Sequence, residues 1–539
     1  MLIVGAGPTG LALACQCLQL GIQVRLIDKK PGPSATSKAI GLQYRVSEIL
    51  ACMGVIDRFL PVSGSPTTVN IYAQSRRLVA LRFHAGGHES GRGAFVPRPL
   101  MIPQSQTEAI LGEVVTERGG HVEWGTELIN LVQLEERVAA RLVQADGTEQ
   151  IATCDWLVSC EGAHSVARRA VQIEFVGKTY PLAFLMADVE LHGAIAAGEN
   201  HVWMHPEGSF AALPFPQQDR WRLFIETTRR PAAEIDADLP MIEQLMVERT
   251  GNASLRVSNP TWISPFRINC RIVDRYRQGR VVLAGDAAHI HSPTGGQGIA
   301  TGIQDAVNLA WKLARVVAGA PSSLLQTYEQ ERRAHAREVL RETDRTTSIF
   351  FAPTLAMRLL RDWIVLPVLR NEWVQRRMFA KLSQLHVHYR RSELSRDRTL
   401  PWPFRRGVRA GDRAPDVLLH RRLDAEPISL FELLSSGRPL VFIGPGDLRV
   451  EAVQTLVSKL ESLAIDAWIV APMDTLAWRE HSRALVDMHG DVARLYGLQG
   501  EFVCLIRPDD HVGFIQSRVS LNDLRDYLRH ICPSPVCLQ

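Results

Sequence analysis

The chain has 539 residues, of which 46% are hydrophobic and 22% are charged, and its formal net charge is +4. This composition is typical of a globular protein with large apolar cores, divided into roughly two to four structural units. The weak positive charge is spread along the chain without a block of Lys and Arg, which argues against a nucleic-acid partner. The 9 cysteines show no paired spacings, no metal-ligand pattern is present, and no apolar run predicts a membrane span. We therefore expect a cytoplasmic protein without a metal site.

The first predicted element is a short apolar strand that runs into a glycine-rich turn, Gly5-Ala-Gly-Pro-Thr-Gly10. A helical segment follows, and a second apolar strand ends at Asp28, 23 residues beyond Gly5. In such a unit the first glycine permits a tight turn, the second lets the backbone approach a pyrophosphate, and the third lets the helix pack on the strand. An acid at the end of the second strand can accept hydrogen bonds from ribose hydroxyls. The pattern predicts a site for NAD or FAD that includes Gly5, Gly7, Pro8, Thr9, Gly10 and Asp28.

Residues 176–264 have a different character, because short segments of alternating apolar and polar residues replace the strand and helix units that precede them. The strand-like segments are Leu182–Leu191, His201–Met204, Ser209–Pro214 and Arg220–Thr227. Alternation of this kind is typical of an antiparallel sheet with one covered and one solvated face. We expect the covered face to close a cavity.

The segment Arg280–Ala314 combines a buried strand, a turn and a long helix. The strand stops at Gly285-Asp286, and a loop that contains Pro293, Gly295, Gly296 and Gly298 leads into the helix. A carboxylate accepts hydrogen bonds from hydroxyl groups, while the amide groups at a helix N-terminus favour anions. The segment is therefore suited to a ligand that carries both sugar hydroxyls and negative charge.

Together, the two glycine-rich segments resemble the FAD domain of the class A flavoprotein monooxygenases, the aromatic hydroxylases typified by 4-hydroxybenzoate hydroxylase. Two further segments, Lys38–Leu50 and Pro103–Leu111, are similar to flavin-contacting segments of that family and point to Lys38, Arg45 and Gln104. Asp155–Arg169 resembles the family's Asp-Gly motif, which serves FAD and the reducing nicotinamide, and points to Glu161 and Gly162.

Three residues depart from the family pattern. Glu161 replaces the usual Asp and is one methylene longer, and Asp28 replaces the more common Glu. Lys38 replaces an Arg and lacks the bidentate fork that a guanidinium offers to a phosphate or carboxylate. None of these changes removes the resemblance.

The resemblance implies that Gly285 and Asp286 hold the ribityl chain of FAD and that the Pro293–Gly298 loop lies along the isoalloxazine. Pro293 and Gly296 would then shape the pocket beside the flavin. NADH or NADPH would reduce FAD, and O₂ would form a hydroperoxide at flavin C4a that hydroxylates a phenolic or polycyclic aromatic compound. Epoxidation or Baeyer–Villiger oxidation by the same fold, and an inactive flavoprotein that sequesters an aromatic compound, are alternatives. His205, Arg222, His289 and His291 are candidates for a substrate-activating base, and none of them is assigned that role.

A segment rich in Arg, Pro and Gly, Tyr389–Pro415, is predicted as a linker to a separate α/β unit with strands at Pro439–Ile443, Ala467–Ala471 and Phe502–Ile506. This unit resembles the thioredoxin-like domain of the phenol and phenylpropionate hydroxylase branch. A redox-active thioredoxin needs two cysteines after its first central strand, where this chain has Gly444-Pro-Gly-Asp-Leu448. We therefore expect a packing role, with a homodimer left open.

The sequence thus predicts an α/β protein in four parts. Residues 1–175 form the first part of a Rossmann-like FAD-binding domain, residues 176–264 form an inserted antiparallel sheet of the substrate domain, and residues 265–395 return to the FAD domain and add helices. Residues 396–539 form the thioredoxin-like domain without a CxxC pair. Within the third part, Ser348–Leu369 is predicted as a helix pair packed in the core.

Overall fold

The computed structural model describes residues 1–34, 36–37, 39–65, 68–73, 75–82, 90–216, 219–228, 238–293, 295–351, 354–399, 406–421, 425–471, 478 and 481–532. Lys38, one of the predicted cofactor-binding residues, lies outside these described residues.

The first part of the chain alternates short strands with helices. Its elements in chain order are β1 (Leu2–Val4), α1 (Pro8–Gln19), β2 (Arg25–Asp28), β3 (Gly41–Leu42), α2 (Tyr44–Cys52), α3 (Ile56–Phe59), β4 (Thr68–Ala73), β5 (Arg76–Arg82), β6 (Leu100–Met101), α4 (Gln104–Glu117), β7 (Val122–Trp124), β8 (Glu127–Gln133), β9 (Val138–Val143), β10 (Glu149–Cys154), β11 (Leu157–Ser159) and α5 (Val166–Ala170).

The middle of the chain contains the longest strands and then the longest helices. Its elements are β12 (Phe175–His192), β13 (Asn200–Trp203), β14 (Phe210–Pro214), β15 (Arg220–Glu226), α6 (Leu239–Thr250), β16 (Arg256–Val273), β17 (Arg277–Gln278), β18 (Val281–Leu283), β19 (His289–Ile290), α7 (Gly298–Val317), α8 (Leu324–Phe350), α9 (Leu355–Leu360), a π-helical turn (Arg361–Val365), α10 (Leu366–Val368) and α11 (Glu372–Leu382).

The last part of the chain returns to alternating strands and helices. Its elements are β20 (Arg396–Arg398), β21 (Leu418–His420), β22 (Pro427–Ser429), α12 (Leu430–Leu434), β23 (Leu440–Pro445), α13 (Val450–Ser462), β24 (Asp466–Ala471), β25 (Ala484–Val486), β26 (Glu501–Ile506), β27 (Val512–Gln516) and α14 (Leu521–Leu528).

A mainly parallel sheet with the order β17-β18-β11-β1-β2-β7 forms the centre of the first unit. Its central strands β1, β11 and β18 are buried along their whole length, and alternate residues enter different cores because successive side chains of a strand point to opposite faces. Ile3 and Val158 pack with α1 and α7 on one face, whereas Leu2 and Leu157 pack with the β8–β10 sheet on the other. Helix α7 is buried from Ala300 to Leu313, which explains its high apolar content.

The second sheet has the order β19-β16-β12-β15-β14-β13-β4-β5 and is antiparallel except where β13 runs parallel to β4. Ala187, Leu223 and Ile225 point to the face that packs against α6. The intervening residues point to the opposite face, where Arg222 donates a hydrogen bond to the carbonyl of Ser37 in the first unit. The β4–β5 hairpin belongs to this sheet, although its residues were predicted to lie in the first part of the FAD-binding domain, residues 1–175.

The carboxyl-terminal sheet has the order β20-β27-β26-β23-β24-β25-β21-β22. Strand β23 is parallel to β24 and antiparallel to β26. Helices α13 and α14 cover one face, and α12 covers the other. The three strands predicted for this unit are present as β23, β24 and β26, and the linker contributes β20, which pairs with β27.

The segment Ser348–Leu369 differs from its prediction as a core helix pair. Leu366 and Leu369 are buried against the β4–β5 hairpin, but Trp363 is 78% exposed and Ile364 is 55% exposed. The prediction was wrong for this outer face because both faces of these helices are apolar, and only one of them has a covering element within the described part of the chain. No helix among the described residues combines the length and apolar character needed to cross a membrane.

Candidate active site

The glycine-rich turn after β1 has the geometry that a pyrophosphate site requires. Gly5 has a φ of +103°, and a Cβ atom on Gly5 or Gly10 would overlap the carbonyl of Cys160 or Gly5, respectively. A Cβ atom on Gly7 would meet no described atom within 4 Å, so this side of the turn is open. Helix α1 begins at Pro8, and no described side chain caps its first turn. The turn is thus closed towards the protein and open where a phosphate would approach the helix N-terminus.

Asp28 is fixed behind this turn at the end of β2. Its Oδ2 accepts a hydrogen bond from the Ala6 amide at 2.7 Å, and its Oδ1 accepts one from the Lys30 amide at 2.9 Å. The side chain is held rigidly at the carboxyl edge of the parallel sheet. Each carboxylate oxygen has a further lone pair, so Asp28 can also accept hydrogen bonds from ribose hydroxyls.

The Gly285-Asp286 turn lies beside the first glycine turn, and Thr9 joins the two. Cβ atoms on Gly285 or Gly302 would overlap the hydroxyl of Thr9, so glycine at these positions lets the turn after β18 and helix α7 both approach α1 closely. Asp286 is exposed at the carboxyl end of β18. Thr9, predicted as a cofactor contact, therefore also holds the two turns together.

The described residues of the loop before α7 are held through Gly295 and Gln297 and are exposed at Pro293 and Gly296. Gln43 Nε2 donates a hydrogen bond to the carbonyl of Gly295 at 2.6 Å, and Gln384 Nε2 donates one to Gln297 Oε1 at 2.9 Å. Pro293 and Gly296 are exposed, as expected of residues that would contact a ligand. Gly298 is the first residue of α7, whose first turn also has no side-chain cap among the described residues.

Asp305 on α7 is the buried acceptor that organises the Gly285-Asp286 turn. Its Oδ2 accepts hydrogen bonds from the Gly285 amide at 3.0 Å and from His289 Nε2 at 2.6 Å, and its Oδ1 accepts one from Arg332 Nε at 2.7 Å. Burial alone would raise the pKa of Asp305, but His289 and Arg332 outweigh it and lower that pKa to about 2. Asp305 is therefore ionised throughout the neutral range. Neither Asp305 nor Arg332 was predicted from the sequence as part of this site.

The four candidates for a substrate-activating base lie in different environments. His289 is hydrogen-bonded to Asp305, and His205 lies in a turn where its Nδ1 accepts a hydrogen bond from the amide of Glu207. His291 donates from Nδ1 to the carbonyl of Ser292 at 2.9 Å, which leaves Nε2 as an acceptor without a partner among the described residues. Burial lowers the pKa of His291 to about 4 and keeps its ring neutral.

Arg222, the fourth candidate, is fully buried in the second sheet. Its guanidinium forms two hydrogen bonds of 2.7 Å with Asp188 and lies 5.4 Å from the ring centre of Phe215 and 5.8 Å from that of Trp262. Both carboxylate oxygens of Asp188 are bonded to this guanidinium, so Arg222 is held in a buried ion pair. A cavity of about 250 Å³ adjoins this pair between the two sheets and is lined by residues that include Ser37, Pro103, Gln106, Asp188, Phe215 and Trp262.

In the Asp-Gly motif, the carboxylate of Glu161 is held by four hydrogen bonds within the protein. Glu161 accepts hydrogen bonds from the hydroxyls of Ser159 and Ser165 at 2.8 Å and from the amides of Val166 and Ala167 at 3.1 Å. The longer side chain thus reaches the N-terminus of α5, where a negative charge is favoured. Gly162 follows with a φ of +83°, and no described atom lies within 4 Å of a Cβ placed there.

Arg45 and Gln104 are held by protein contacts. The Arg45 guanidinium is buried and bonded to Glu48 on α2 and to Asp510 of the carboxyl-terminal unit. Gln104 starts α4 and donates from Nε2 to Glu108 at 2.7 Å. The role of Arg45 at the interface with the carboxyl-terminal unit was not predicted, because Asp510 lies 465 residues away in sequence.

Comparison with known proteins agrees with this geometry. Residues 1–343 match the protein-family model described as FAD binding domain. The chain is 33% identical over 450 residues to a flavin-dependent monooxygenase of Mycobacteroides abscessus, which covers 81% of this chain and 88% of that protein. It is 34% identical over 403 residues to 6-methylpretetramide 4-monooxygenase of Streptomyces rimosus, which covers 73% of this chain and 71% of that protein.

A solved structure shows the same arrangement over nearly the whole chain. The anhydrotetracycline hydroxylase of Streptomyces rimosus superposes with a TM-score of 0.77 and 26% identity, over 99% of this chain and 99% of that chain. The open face at Gly7, the fixed carboxylate of Asp28 and the uncapped helix α7 all fit FAD. The chain therefore belongs to the FAD-binding-domain family of class A FAD-dependent aromatic monooxygenases, as its glycine-rich motifs predicted.

Proposed function

We propose that this monooxygenase hydroxylates a phenolic, polycyclic aromatic compound and takes its reducing equivalents from NADH or NADPH. The observation that carries the proposal is the inner face of the second sheet, where Phe184, Met186, Phe224, Trp262 and Phe266 alternate with the residues that pack on α6. An apolar and aromatic face of this kind suits a flat, fused-ring substrate. The tetracycline-type compounds named for two of the relatives have this chemistry.

We infer the following binding roles for FAD. The pyrophosphate would lie at the N-terminus of α1, where it would be held by Gly5, Gly7, Pro8, Thr9 and Gly10. Asp28 would accept hydrogen bonds from the ribose hydroxyls. Asp286 would accept hydrogen bonds from hydroxyls of the ribityl chain. The predicted site also includes Lys38, Arg45 and Gln104. It is completed by Glu161 and Gly162 of the Asp-Gly motif.

When bound, FAD supplies the redox chemistry and the activation of O₂. The residues of this chain would position the substrate beside the flavin and exclude water from the site. Pro293, Gly295, Gly296 and Gly298 would shape the pocket beside the flavin, and the amides at the start of α7 would favour negative charge there. The second sheet would cover the pocket and exclude water, which limits the loss of reducing equivalents as peroxide.

The carboxyl-terminal unit is proposed to be a thioredoxin-like domain without redox activity. The order β27-β26-β23-β24, with β23 parallel to β24 and antiparallel to β26, supports this assignment. Gly444–Leu448, which covers the end of the central strand β23 and the turn after it, contains no cysteine, so a packing role is favoured. The domain boundaries 1–175, 176–264, 265–395 and 396–539 remain part of the proposal, with the β4–β5 hairpin added to the second sheet.

The test is anaerobic reduction of the FAD-loaded protein by NADH and by NADPH, followed by absorbance in a stopped-flow instrument. A panel of simple phenols and fused-ring phenols serves as possible substrates. We expect a fused-ring phenol to accelerate reduction by about tenfold or more, because substrate binding gates flavin reduction in an enzyme that excludes water. Acceleration by simple phenols alone would overturn the polycyclic assignment, and reduction by neither nicotinamide would overturn the assignment of the electron donor.

A further inference from the structure

The helices that follow α8 carry an exposed apolar surface. Trp363 is 78% exposed and Trp373 is 65% exposed, and four aliphatic side chains between 50% and 55% exposed accompany them. We call this surface the apolar helix face, and its members are Leu359, Leu360, Trp363, Ile364, Val368 and Trp373. Single exposed apolar residues are common on protein surfaces, whereas a contiguous group marks an interaction site.

The opposite side of the same helices is already packed. Leu366, Leu369 and Phe379 are buried in a core shared with Ile71 and Val79 of the β4–β5 hairpin. A surface helix with one packed face is expected to be polar on its outer face. Since six large apolar side chains are exposed on the outer side of these helices, that side is suited to contact with a second apolar medium.

The charges around the apolar helix face are mostly positive. Residues 355–381 contain six basic and two acidic side chains, a net charge of +4 that equals the net charge of the whole chain. Arg377 lies 5.4 Å from the ring centre of Trp373, so positive charge borders the apolar surface directly. A second copy docked through this face by a two-fold axis would bring the same positive charges together, which opposes such a dimer.

We propose that the apolar helix face docks on an anionic lipid bilayer. Tryptophan is favoured at the boundary between lipid headgroups and hydrocarbon, and aliphatic residues insert just below it. Arginine side chains can bury their stems while their guanidinium groups contact lipid phosphates. The helices would lie in the plane of the interface, a mode of binding that does not require a membrane-spanning helix.

The experiment is flotation of the FAD-loaded protein with two kinds of vesicle, one of phosphatidylcholine alone and one with about one third phosphatidylglycerol. The protein should float with the anionic vesicles and much less with the neutral ones. A Trp363→Ser/Trp373→Ser variant should bind at least roughly tenfold more weakly, because it removes the two largest and most exposed apolar side chains of this face. An Arg376→Gln/Arg377→Gln variant should bind about 25-fold more weakly to anionic vesicles, since each arginine near the surface contributes about fivefold.

The matched control is Ile151→Ser/Val132→Ser, which changes two side chains that are 72% and 59% exposed in the β8–β10 sheet. All the altered residues are solvent-exposed, so FAD content should be the same in every variant. Flotation that drops in the tryptophan variant and not in the control supports the proposal. An absence of flotation in the natural sequence, an equal loss in the control, or a dimer in analytical ultracentrifugation that only the tryptophan variant dissociates would each overturn it.

Discussion

At the scale of single residues, the flavin turns depend on buried hydrogen bonds that the glycine motifs do not show. Asp305 accepts three of these bonds, from Gly285, His289 and Arg332, and is fully buried. Its partners are one backbone amide in the turn and two side chains on separate elements. Asp305 therefore couples the position of the ligand-binding turn to the packing of α7 and α8.

Asp305→Asn should lower the free energy of unfolding by about 3–5 kcal/mol, because it leaves the buried Arg332 guanidinium without its carboxylate. The affinity for FAD should also fall by roughly tenfold as the Gly285 turn loosens. Chemical denaturation and FAD titration measure the two effects. Asp274→Asn is the control, since Asp274 is partly exposed, pairs with the exposed Arg275, and as Asn still offers an oxygen to the amide of Glu174; it should change stability by less than about 1 kcal/mol.

The ionisation of Asp305 also predicts how the free energy of unfolding depends on pH. The pKa of Asp305 is lower in the folded protein, about 2, than an ordinary carboxyl value. Its ionisation therefore stabilises the fold at neutral pH, and this contribution disappears as the pH falls from about 4 towards 2. The unfolding free energy of the Asp305→Asn variant should depend less on pH in this range than that of the natural sequence. Parallel curves for the two proteins would contradict the assigned ion pairs.

Glu161 supports a third prediction at this scale. Glu161→Ala should cost about 1–3 kcal/mol of unfolding free energy, because the amides of Val166 and Ala167 and two serine hydroxyls lose their acceptor. Glu161→Gln retains one acceptor oxygen and should cost less. If thermal and chemical unfolding give equal losses for both variants, the capping role of Glu161 is refuted.

At the scale of elements, α7 and α8 carry matching charged faces that meet the carboxyl-terminal unit. Lys312 on α7 and Arg507 in the turn after β26 both bind Glu331 on α8, at 2.7 Å. Burial would raise the pKa of Glu331, but Arg507 and Lys312 outweigh it and hold that pKa well below its usual range. These side chains are all buried, so each depends on its partners for compensation.

Arg507→Met should therefore cost about 3–5 kcal/mol of unfolding free energy, since it leaves Glu331 and Asp509 without their shared cation. In a double-mutant cycle with Glu331→Gln, the two effects should be less than additive by about 1–3 kcal/mol. Arg438→Met serves as the control, because Arg438 is 56% exposed and pairs with Asp466 at 3.8 Å. Additive effects in the cycle would contradict a direct ion pair.

The glycine turns, the strands that lead into them and the central strands of the last unit could be predicted from sequence. Their determinants are local, because a Gly at a tight turn and an apolar run of strand length can be recognised within a few residues. Polar residues at helical spacing on α7, such as Gln304, Asn308 and Lys312, were a signal that went unused. Their partners Glu331, Asp509 and Gln384 could not be inferred, because only the packed fold brings them together.

At the scale of the whole molecule, the carboxyl-terminal unit completes the FAD domain. Trp311 and Leu324 share a core with its strands, and Arg45 of α2 pairs with its Asp510. A chain that ends at residue 395 should therefore lose most of its FAD affinity, and its thermal unfolding midpoint should fall. Unchanged FAD affinity in this truncated chain would show that the last unit does not support the site.

The measurement that tests the account most directly uses dioxygen labelled with the heavy isotope and mass spectrometry of the product. FAD-loaded protein, NADPH or NADH and the fused-ring phenol that best accelerates flavin reduction are combined under labelled gas. We predict that one labelled oxygen atom appears on the aromatic ring for each nicotinamide oxidised. A product without the label, or nicotinamide oxidation that yields only hydrogen peroxide with every compound of the panel, would contradict the assignment.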